Sequence, residues 1–463
     1  MTPARTSARR RPQSPLEVAR RALARARHFD ADFEVYAQFG RTVAIKVFAR
    51  EAESVTVSEP RGLGVRAIRG GRLGYAFTAD LSTTGIDRVL AEVAINLQAS
   101  DIDPCVHLPS APAGSYPTIP GLWRPGVSTT RLEDKVRLAL EAERGALALG
   151  DIETVEESVY SDEEARIAVA STTGVEAEAE QSFCFVYVVA HAERDGDRQS
   201  GLGFSAAREP DGLDPEQAGG EAAEKARVLL GASPCPTGSY TAVFDREVAA
   251  AMLSSIVQAL SADAVQKGRS VFAGRLGEAV ASPLVTLGDD GLALEGMATN
   301  PFDGEGALQQ TTVLFDAGVL RAYLHNSYTA SKAGMGALST GNAGRSSYRS
   351  LPGVGATNLV LRPGQGGLDD LFARVGEGLY VQSVAGLHSG VNAISGEMSL
   401  GVNGRLIKEG TLGRSVREIT IASDFVSLLR SVSDVAGDAR WIPLHGSVCT
   451  PSVAVQGIAV SGT

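Results

Sequence analysis

Two pairs of closely spaced carboxylates are the first candidates for chemistry in this chain. Asp289 and Asp290 are adjacent, and one residue separates Asp303 from Glu305. Carboxylates paired in this way can serve as general acid and general base. Both pairs are flanked by glycines, however, and aspartate in such a setting commonly accepts hydrogen bonds from a turn backbone. We therefore favour turns at these positions and keep acid–base catalysis as the alternative.

A third candidate is the run Thr340-Gly-Asn342-Ala-Gly-Arg345. Its backbone N–H groups could surround an anion. The run lacks the Lys-Ser/Thr ending of a phosphate-binding loop, so a tight turn is the stronger interpretation. Ser346 and Ser347 follow it without the Gly-x-Ser-x-Gly surroundings of a nucleophile elbow.

The spacing of histidine and cysteine does not indicate a metal site. The histidines are His28, His107, His191, His325, His388 and His445, and the cysteines are Cys105, Cys184, Cys235 and Cys449. The histidines are not at metal-ligand spacing, and no two cysteines form a Cys-x-x-Cys pair. We expect structural or surface histidines and free thiols in a reducing compartment.

Composition excludes several classes of function. The net charge of -11 argues against a nucleic-acid surface, which needs a basic face. No apolar run is long enough for a membrane span, and the arginine-rich start lacks the apolar segment of a signal peptide. We expect a cytoplasmic protein. Glycine accounts for 52 of 463 residues, against an average of about 7 %, which indicates many turns and much β-structure.

The elements that must position these residues fall into several parts. Residues 1–30 read as a basic tail and a first helix, and residues 31–110 as a first α+β unit. The Pro-rich passage 111–127 indicates a linker. Residues 128–231 form a second α+β unit, and residues 237–463 form a β-rich C-terminal domain.

The two N-terminal units follow the same plan of helix, strands and helix. Gly74-Tyr75 near the end of one unit has a counterpart in Gly203-Phe204 of the other. We interpret this as a duplication of an antiparallel layer. In the first unit the pattern predicts separate strands at 33–38 and 43–49.

One helix organises the C-terminal domain. Over residues 245–264, Val248, Met252, Ile256 and Leu260 recur every fourth residue, and Asp245 can cap the N-terminus. This pattern predicts a buried core helix. The predicted fold class is therefore α+β: duplicated helix and antiparallel-sheet units followed by a β-rich domain around one core helix.

Several runs of sequence carry a resemblance. They are Gly62-Leu-Gly-Val-Arg66 with Gly74-Tyr-Ala-Phe-Thr78, Lys267-Gly-Arg-Ser270 with Asp289-Asp290, Asn300-Pro-Phe-Asp-Gly-Glu-Gly306, Thr311-Thr-Val-Leu-Phe-Asp-Ala-Gly-Val-Leu320, Thr340-Gly-Asn342, and Pro451-Ser-Val-Ala-Val-Gln-Gly-Ile-Ala-Val-Ser-Gly-Thr463. In type and order they resemble the TldD/PmbA family, once called modulators of DNA gyrase. The resemblance covers nearly the whole chain from Ala31 onward.

The resemblance implies a system of two kinds of chain. TldD-type chains are zinc metallopeptidases carrying His-Glu-x-x-x-His, whereas PmbA chains, also called TldE, lack this motif and pair with a TldD-type chain. Matched to that pattern, this sequence has Leu253, Ser254 and Gln258 in place of the two histidines and the glutamate. Leucine has no lone pair, serine is no general base at neutral pH, and glutamine is a poor zinc ligand. The family's further cysteine ligand falls near Arg440 and Trp441.

The resemblance therefore implies that this chain has no catalytic residue and no metal of its own, and that zinc belongs to the partner. It gives no role to the family-pattern residues outside the zinc motif, which can line a cleft or hold turns. These are Asp289, Asp290, Asp303, Glu305, Thr340, Asn342 and Arg345.

Three functions stay open at this point. The first is a non-catalytic PmbA/TldE-type subunit of a heteromeric zinc peptidase that acts on short or unfolded peptides, which a sheet edge could bind. The second is a homodimeric peptide-binding or regulatory protein without enzymatic activity. The third is a metal-independent hydrolase that uses Asp303, Glu305 or Ser254. The peptide substrate, its cleavage specificity and any link to gyrase do not follow from the sequence.

Overall fold

The computed structural model describes residues 13–463. The predicted basic tail lies mostly outside the described residues. The first unit contains helix α1 (Pro15–Ala26), strands β1 (Asp32–Phe48), β2 (Glu51–Ser58), β3 (Arg61–Arg69) and β4 (Arg72–Thr78), and helix α2 (Thr83–Ala99). The second unit contains helices α3 (Gly126–Thr129) and α4 (Leu132–Leu147), strands β5 (Ile152–Ser171), β6 (Glu176–Arg194) and β7 (Asp197–Ala207), and helix α5 (Pro215–Arg227).

The C-terminal domain is richer in strands. Its helices are α6 (Arg246–Gln258), α7 (Ala262–Gln266), α8 (Ser327–Ala333), α9 (Leu368–Val375), α10 (Leu387–Gly390) and α11 (Phe425–Arg430). Its strands are β8 (Gly238–Phe244), β9 (Leu287–Asp290), β10 (Thr311–Asp316), β11 (Val319–Leu320), β12 (Ala343–Gly344), β13 (Gly353–Val354), β14 (Asn358–Leu361), β15 (Gly378–Ala385), β16 (Glu397–Lys408), β17 (Thr411–Asp424), β18 (Val432–Val435), β19 (Arg440–Ile442), β20 (Ser447–Thr450) and β21 (Val453–Ser461).

The strands of the two N-terminal units form one seven-stranded antiparallel sheet. Its order is β4-β3-β1-β5-β6-β7, with β2 paired to the second half of β1. The two units join where β1 pairs with β5, in a register that runs from Glu34 opposite Ser171 to Val47 opposite Ser158. The predicted break between residues 38 and 43 is wrong, because β1 is one strand of 17 residues. Pairing with β5 along its length holds the chain extended through Gly40, which lies opposite Ala165.

Small residues let the helices lie close to this sheet. A Cβ on Gly74 would come within 2.3 Å of the Val93 carbonyl oxygen in α2, and a Cβ on Gly203 within 2.1 Å of the Ala218 carbonyl oxygen in α5. Each helix backbone therefore crosses directly over a strand glycine. The two glycines matched in the sequence have the same packing role in their units.

Two six-stranded sheets and the helix between them build the core of the C-terminal domain. The sheet orders are β11-β10-β9-β14-β20-β19 and β17-β16-β15-β8-β21-β18. Val248, Ile256 and Leu260 pack in one apolar cluster with side chains from both sheets, such as Leu287 and Leu379. The α+β class with a buried core helix is thus confirmed.

Two predicted helix boundaries are wrong. Helix α6 ends at Gln258 rather than continuing to residue 264, and α7 begins separately at Ala262. Between them Ser261 forms a β-bridge with Leu324, which ends the run of intrahelical hydrogen bonds. The sequence also predicts a helix near residues 421–432, but helix α11 covers only Phe425–Arg430, because β17 continues to Asp424, whose carboxylate caps the helix. None of the helices between residues 13 and 463 is both long and apolar enough to cross a membrane.

Helix α5 offers a test of this close packing. A Cβ on Gly219 would lie 2.1 Å from the Ala142 carbonyl oxygen in α4, whereas a Cβ on the adjacent Gly220 meets open space. Gly219→Ala should therefore destabilise the protein by about 1–3 kcal/mol through overpacking. Gly220→Ala should be neutral or stabilising by up to about 1 kcal/mol, since it only removes backbone freedom. Urea unfolding of both variants checks this, and equal effects would show that α4 and α5 are not in close contact.

Candidate functional site

Helix α6 is held firmly at its N-terminus. The Asp245 carboxylate accepts a hydrogen bond from the Glu247 backbone N–H at 3.0 Å and another from the Tyr380 hydroxyl at 2.5 Å. These bonds satisfy an otherwise free N–H of the first turn and fix the helix against β15. Its rotation in the core, and so the direction of every side chain on it, is thereby set.

The three positions matched to the zinc motif do not converge on one point. The Leu253 side chain is only 6 % exposed and packs in the apolar core. The Ser254 hydroxyl donates to the His445 carbonyl oxygen at 2.6 Å, and Gln258 is exposed. Leu253 and Gln258 are five residues apart, which separates their directions by roughly 140° on a regular helix.

These residues do not fit zinc. An apolar leucine, a hydroxyl bonded to a carbonyl and an exposed amide do not make a donor set for a tetrahedral metal. Between residues 13 and 463, no group of three His, Cys, Asp or Glu side chains is arranged to hold a metal ion. Near the position expected for a cysteine ligand, the Arg440 guanidinium lies 5.0 Å from the centre of the Phe204 ring. We therefore derive no metal-dependent step for this chain.

A buried network of charged side chains lies where the first unit meets the C-terminal domain. The Arg66 guanidinium contacts Glu34 at 2.6 Å and Glu305 at 2.8 Å, and Arg345 pairs with the other oxygen of Glu34. All four side chains are at most 5 % exposed. Glu305 also accepts from the Ser327 backbone N–H at 2.9 Å. We call Glu34, Arg66, Glu305 and Arg345 the junction network.

Asp303 lies beside the junction network and organises two loops. One of its oxygens accepts from the backbone N–H groups of Glu305 and Ala307, each at 2.9 Å, and the other accepts from Ala343 at 3.0 Å. The glycine-rich run that contains Ala343 therefore directs a backbone N–H group at the Asp303 carboxyl. Arg345 anchors the same run through a bond from its Nε to the Gly304 carbonyl oxygen at 2.7 Å.

Asp289 holds a second pair of loops. It accepts from the Asn342 side chain at 2.5 Å and from the Thr357 backbone at 2.7 Å. Asn342 in turn accepts from the Thr340 hydroxyl at 2.6 Å. Asp290 lies at the surface side of the same strand, where it accepts from Thr311 at 3.0 Å. All seven family-pattern residues thus have hydrogen-bond partners within the described structure. The Ser254 hydroxyl is bonded to a backbone carbonyl and not to Asp303 or Glu305, so these residues do not form a nucleophile and base pair.

Burial dominates the protonation behaviour of these carboxyls. Burial, reinforced by the nearby charge of Glu305, raises the pKa of Asp303 to about 7 against the pull of its backbone bonds. Burial likewise raises the pKa of Asp289 to about 6, partly offset by Asn342 and Thr357. Burial also raises the pKa of Glu305, but Arg66 and Ser327 outweigh it, so the net pKa lies below its ordinary value. Glu305 is therefore the charged member of the pair and Asp303 the one that titrates near neutrality.

Sequence reasoning missed two members of the junction network. Glu34 lies between the buried Phe33 and Val35, and Arg66 follows the buried Val65. A charged residue within an apolar run of a strand could have indicated both positions, because a buried charge needs a buried partner of opposite sign. In the sequence, Arg66 stands out only as the last residue of the family motif Gly62-Leu-Gly-Val-Arg66.

Three family models match the chain in succession. They are described as PmbA/TldA metallopeptidase domain 1 at residues 33–97, central domain at 127–230 and C-terminal domain at 237–462. Together they span most of the sequence. The chain belongs to the PmbA/TldD family. The resemblance found in the sequence is thereby confirmed.

Relatives named after PmbA and relatives named after TldD are both similar to this PmbA/TldD chain. The "Metalloprotease PmbA homolog" of Haemophilus influenzae is 26 % identical over 424 residues, covering 91 % of this chain and 90 % of that protein. The "Metalloprotease TldD homolog" of the same organism is 28 % identical over 431 residues, covering 87 % of each. The family is thus a proteolytic one by the names of its members. Overall identity does not separate the two types, so the separation depends on individual residues.

Solved structures share the whole fold. A proposed modulator of a DNA gyrase from Thermotoga maritima superposes with a TM-score of 0.88 at 26 % identity, covering 96 % of this chain and 99 % of that one. TldE from Thermococcus kodakarensis gives a TM-score of 0.87 at 20 % identity, with 96 % and 100 % covered. At that identity the second likeness shows the fold alone.

Removing the central cation of the junction network should be costly. Arg66→Met keeps the side-chain length but removes the cation that pairs with both Glu34 and Glu305. Both carboxylates then stay buried, and the Arg345 guanidinium, which pairs with Glu34, is the cation left in the network. Breaking a buried ion pair in this way costs about 3–5 kcal/mol of stability. The matched control is Arg20→Met, since Arg20 and Glu176 pair about half exposed and should contribute less than about 1 kcal/mol. Thermal unfolding compares them, and equal losses would contradict a structural role for the network.

The raised pKa of Asp303 predicts how the stability of the folded protein changes with pH. Because its folded pKa is about 7, far above that of an unfolded aspartate, the folded state keeps a proton that the unfolded state releases. Stability is therefore lost as the pH rises from about 4 to about 7. Relative to Asp303→Asn, the natural protein should lose up to about 1.4 kcal/mol per pH unit in this window. Urea unfolding of both proteins across these pH values measures the difference, and a constant difference would contradict the raised pKa.

Proposed function

We propose that this chain is the non-catalytic PmbA/TldE-type subunit of a heteromeric TldD/TldE-type zinc metallopeptidase that degrades or processes short or unfolded peptides. The observation that carries the proposal is the state of helix α6. Leu253, Ser254 and Gln258 stand at the motif positions. The Leu253 side chain packs in the core, the Ser254 hydroxyl donates to a backbone carbonyl, and the Gln258 side chain faces solvent. Catalysis in the pair, and the zinc, belong to the TldD-type partner. We place the complex in the cytoplasm.

The chain's contribution in this proposal is structural and substrate-binding. An extended peptide can bind by adding a strand to an open sheet edge. In the described part of the chain β2 pairs with β1 alone, and all eight of its residues are exposed. Val55 and Val57 stand among them, and Glu51 and Glu53 precede them on the same strand. We propose this edge as the one that receives substrate.

Reconstitution tests the subunit role. The purified chain should show no peptidase activity on unstructured peptides, with or without added zinc. A TldD-type partner mixed with it should cleave these peptides at least about tenfold faster than the partner alone, and a chelator should abolish the activity. A partner whose motif glutamate is changed to glutamine serves as control. Equal cleavage by the partner without this chain would contradict the proposal.

Substitutions on α6 test the loss of catalysis in this chain. Ser254→Ala and Gln258→Ala should leave the activity of the reconstituted pair within about twofold, because neither side chain touches reacting atoms in the proposal. Loss of a general acid or base typically costs about 10²–10⁴-fold. Steady-state peptide cleavage by the pair measures the effect, and a loss in that range for either variant would assign the residue to the chemistry.

A further inference from the structure

The loop that follows helix α8 carries two strongly exposed apolar side chains. All residues from Ser331 to Leu338 are exposed. The Met335 side chain is fully exposed and the Leu338 side chain is 81 % exposed, the two highest values for large apolar side chains among residues 13–463. A single exposed apolar residue needs no explanation, whereas two within one short loop indicate a contact site. We call residues 334–338 the apolar tip.

The backbone of the apolar tip is strained at its centre. Gly334, Met335 and Gly336 have positive φ angles of 67°, 52° and 76°. Glycine adopts this left-handed conformation freely, but methionine does not. Met335 thus combines an unfavourable backbone with a side chain that makes no apolar contact in its own chain. Its position does not help this chain to fold, so we look for its use in a contact with another molecule.

The stem of the apolar tip is firmly attached to the domain. At the start of α8, the Ser327 backbone N–H donates to Glu305 of the junction network at 2.9 Å. After the tip, the hydroxyls of Ser339 and Thr340 donate to the His325 carbonyl oxygen at 3.2 and 3.1 Å. A fixed stem presents the tip in one place, which lowers the entropic cost of binding a partner.

The apolar tip also has unused backbone donors. Among residues 13–463, the backbone N–H groups of Met335, Gly336 and Leu338 donate to no backbone acceptor. Water can satisfy these groups while the tip is exposed. A partner that buries the tip must replace this water, because an unpaired buried donor is costly. The complementary surface therefore needs acceptor oxygens as well as apolar side chains.

An open recess of this fold offers both kinds of surface. It lies between the first unit and the C-terminal domain and has a volume of about 420 Å³, within the range of about 300–1,000 Å³ typical of ligand pockets. Leu73, Val106 and Val354 are among its apolar wall residues, and each is partly exposed. Asp263 contributes a carboxylate that is 39 % exposed. The recess thus has room for two apolar side chains and an acceptor for their backbone.

The location of the recess suits a pair of chains. Helix α8 leads into the apolar tip at its C-terminal end and contributes Tyr328 and Thr329 to the recess wall. In a pair related by two-fold symmetry, the same patch of each chain faces its counterpart. A tip beside the recess of its own chain then comes close to the recess of the other chain. A homologous partner of the same fold has this recess at the same place.

We propose that the apolar tip inserts into the corresponding recess of the TldD-type partner, where Met335 and Leu338 pack on the apolar wall and the tip N–H groups bond to acceptor oxygens. This contact rests on the proposed function, because it requires that partner. A membrane fits less well, since the net charge of -11 opposes approach to an anionic bilayer. A peptide substrate also fits less well, since a projecting tip offers an extended chain no groove.

Photo-crosslinking tests where the apolar tip lies. The full chain, with p-benzoylphenylalanine in place of Met335, is mixed with the TldD-type partner and irradiated. Mass spectrometry should locate the cross-link on partner residues that align with Val106, Leu351 or Val354. The same probe in place of Ile95 is the control. Ile95 is 66 % exposed on α2, which packs on the other face of the N-terminal sheet, and should give no cross-link to the recess.

Charged substitutions test the strength of the same contact. Met335→Asp and Leu338→Asp should each raise the dissociation constant of the pair at least about tenfold, because each puts a charge where an apolar side chain is buried. Aspartate tolerates the left-handed backbone at position 335, so thermal unfolding should stay unchanged. Ile95→Asp should leave the dissociation constant within about twofold. Sedimentation velocity of the mixed chains measures the constants.

Three results would overturn the tip contact. The first is a cross-link elsewhere on the partner or within the same chain, and the second is unchanged pairing of both tip variants. The third is binding of the natural chain to phosphatidylglycerol vesicles that Met335→Asp abolishes, which would assign the tip to a membrane.

Failure of the tip contact and failure of the proposed function give different results. If the reconstituted pair cleaves peptides while the tip variants pair normally, the tip contact is wrong and the subunit role stands. If the tip cross-links to the recess of a second copy and no TldD-type chain associates, the proposed function is wrong and the contact belongs to a homodimer.

Discussion

The junction network is the constraint on which the rest of this molecule depends. Burying an ion costs several kcal/mol even after relaxation, and the cost is recovered only when each charge has well-placed partners. Glu34 and Arg66 come from neighbouring strands of the N-terminal sheet, whereas Glu305 and Arg345 come from loops of the C-terminal domain. No partial separation of the two parts leaves these charges satisfied. The network therefore fixes the orientation of the large sheet against the C-terminal domain and, with it, the surfaces between them.

The family-pattern residues share a structural role, because they order the loops at this junction. Asp303 orders the loop that carries Glu305 and the loop that leads to Arg345, through backbone bonds to Glu305 and Ala343. Asp289 and Asn342 hold the adjoining segment. Helix α6, in contrast, has side chains at its motif positions that pack, cap a carbonyl or face solvent. The polar residues of the family pattern thus act as a scaffold in this chain, and the proposed subunit role assigns the catalytic metal to a partner.

Local pattern predicted the class of fold and the core helix, because a four-residue apolar repeat and a capping aspartate are properties of a few adjacent residues. It did not predict the junction network, since Arg66 and Glu305 are 239 positions apart and Glu34 and Arg345 are 311 apart. It also divided β1 between residues 38 and 43, where pairing with β5 decides the conformation. The degenerate positions on α6 came from family resemblance, and the structure then showed where their side chains go.

The most direct test of the account is to isolate this chain, tagged, from the cells that encode it under native conditions and to identify what accompanies it. A non-catalytic subunit should be recovered with a homologous chain that carries His-Glu-x-x-x-His in near-equal amount, together with zinc in proportion to that chain. Recovery of the tagged chain only with copies of itself and without zinc would contradict the account and would favour a homodimeric binding protein.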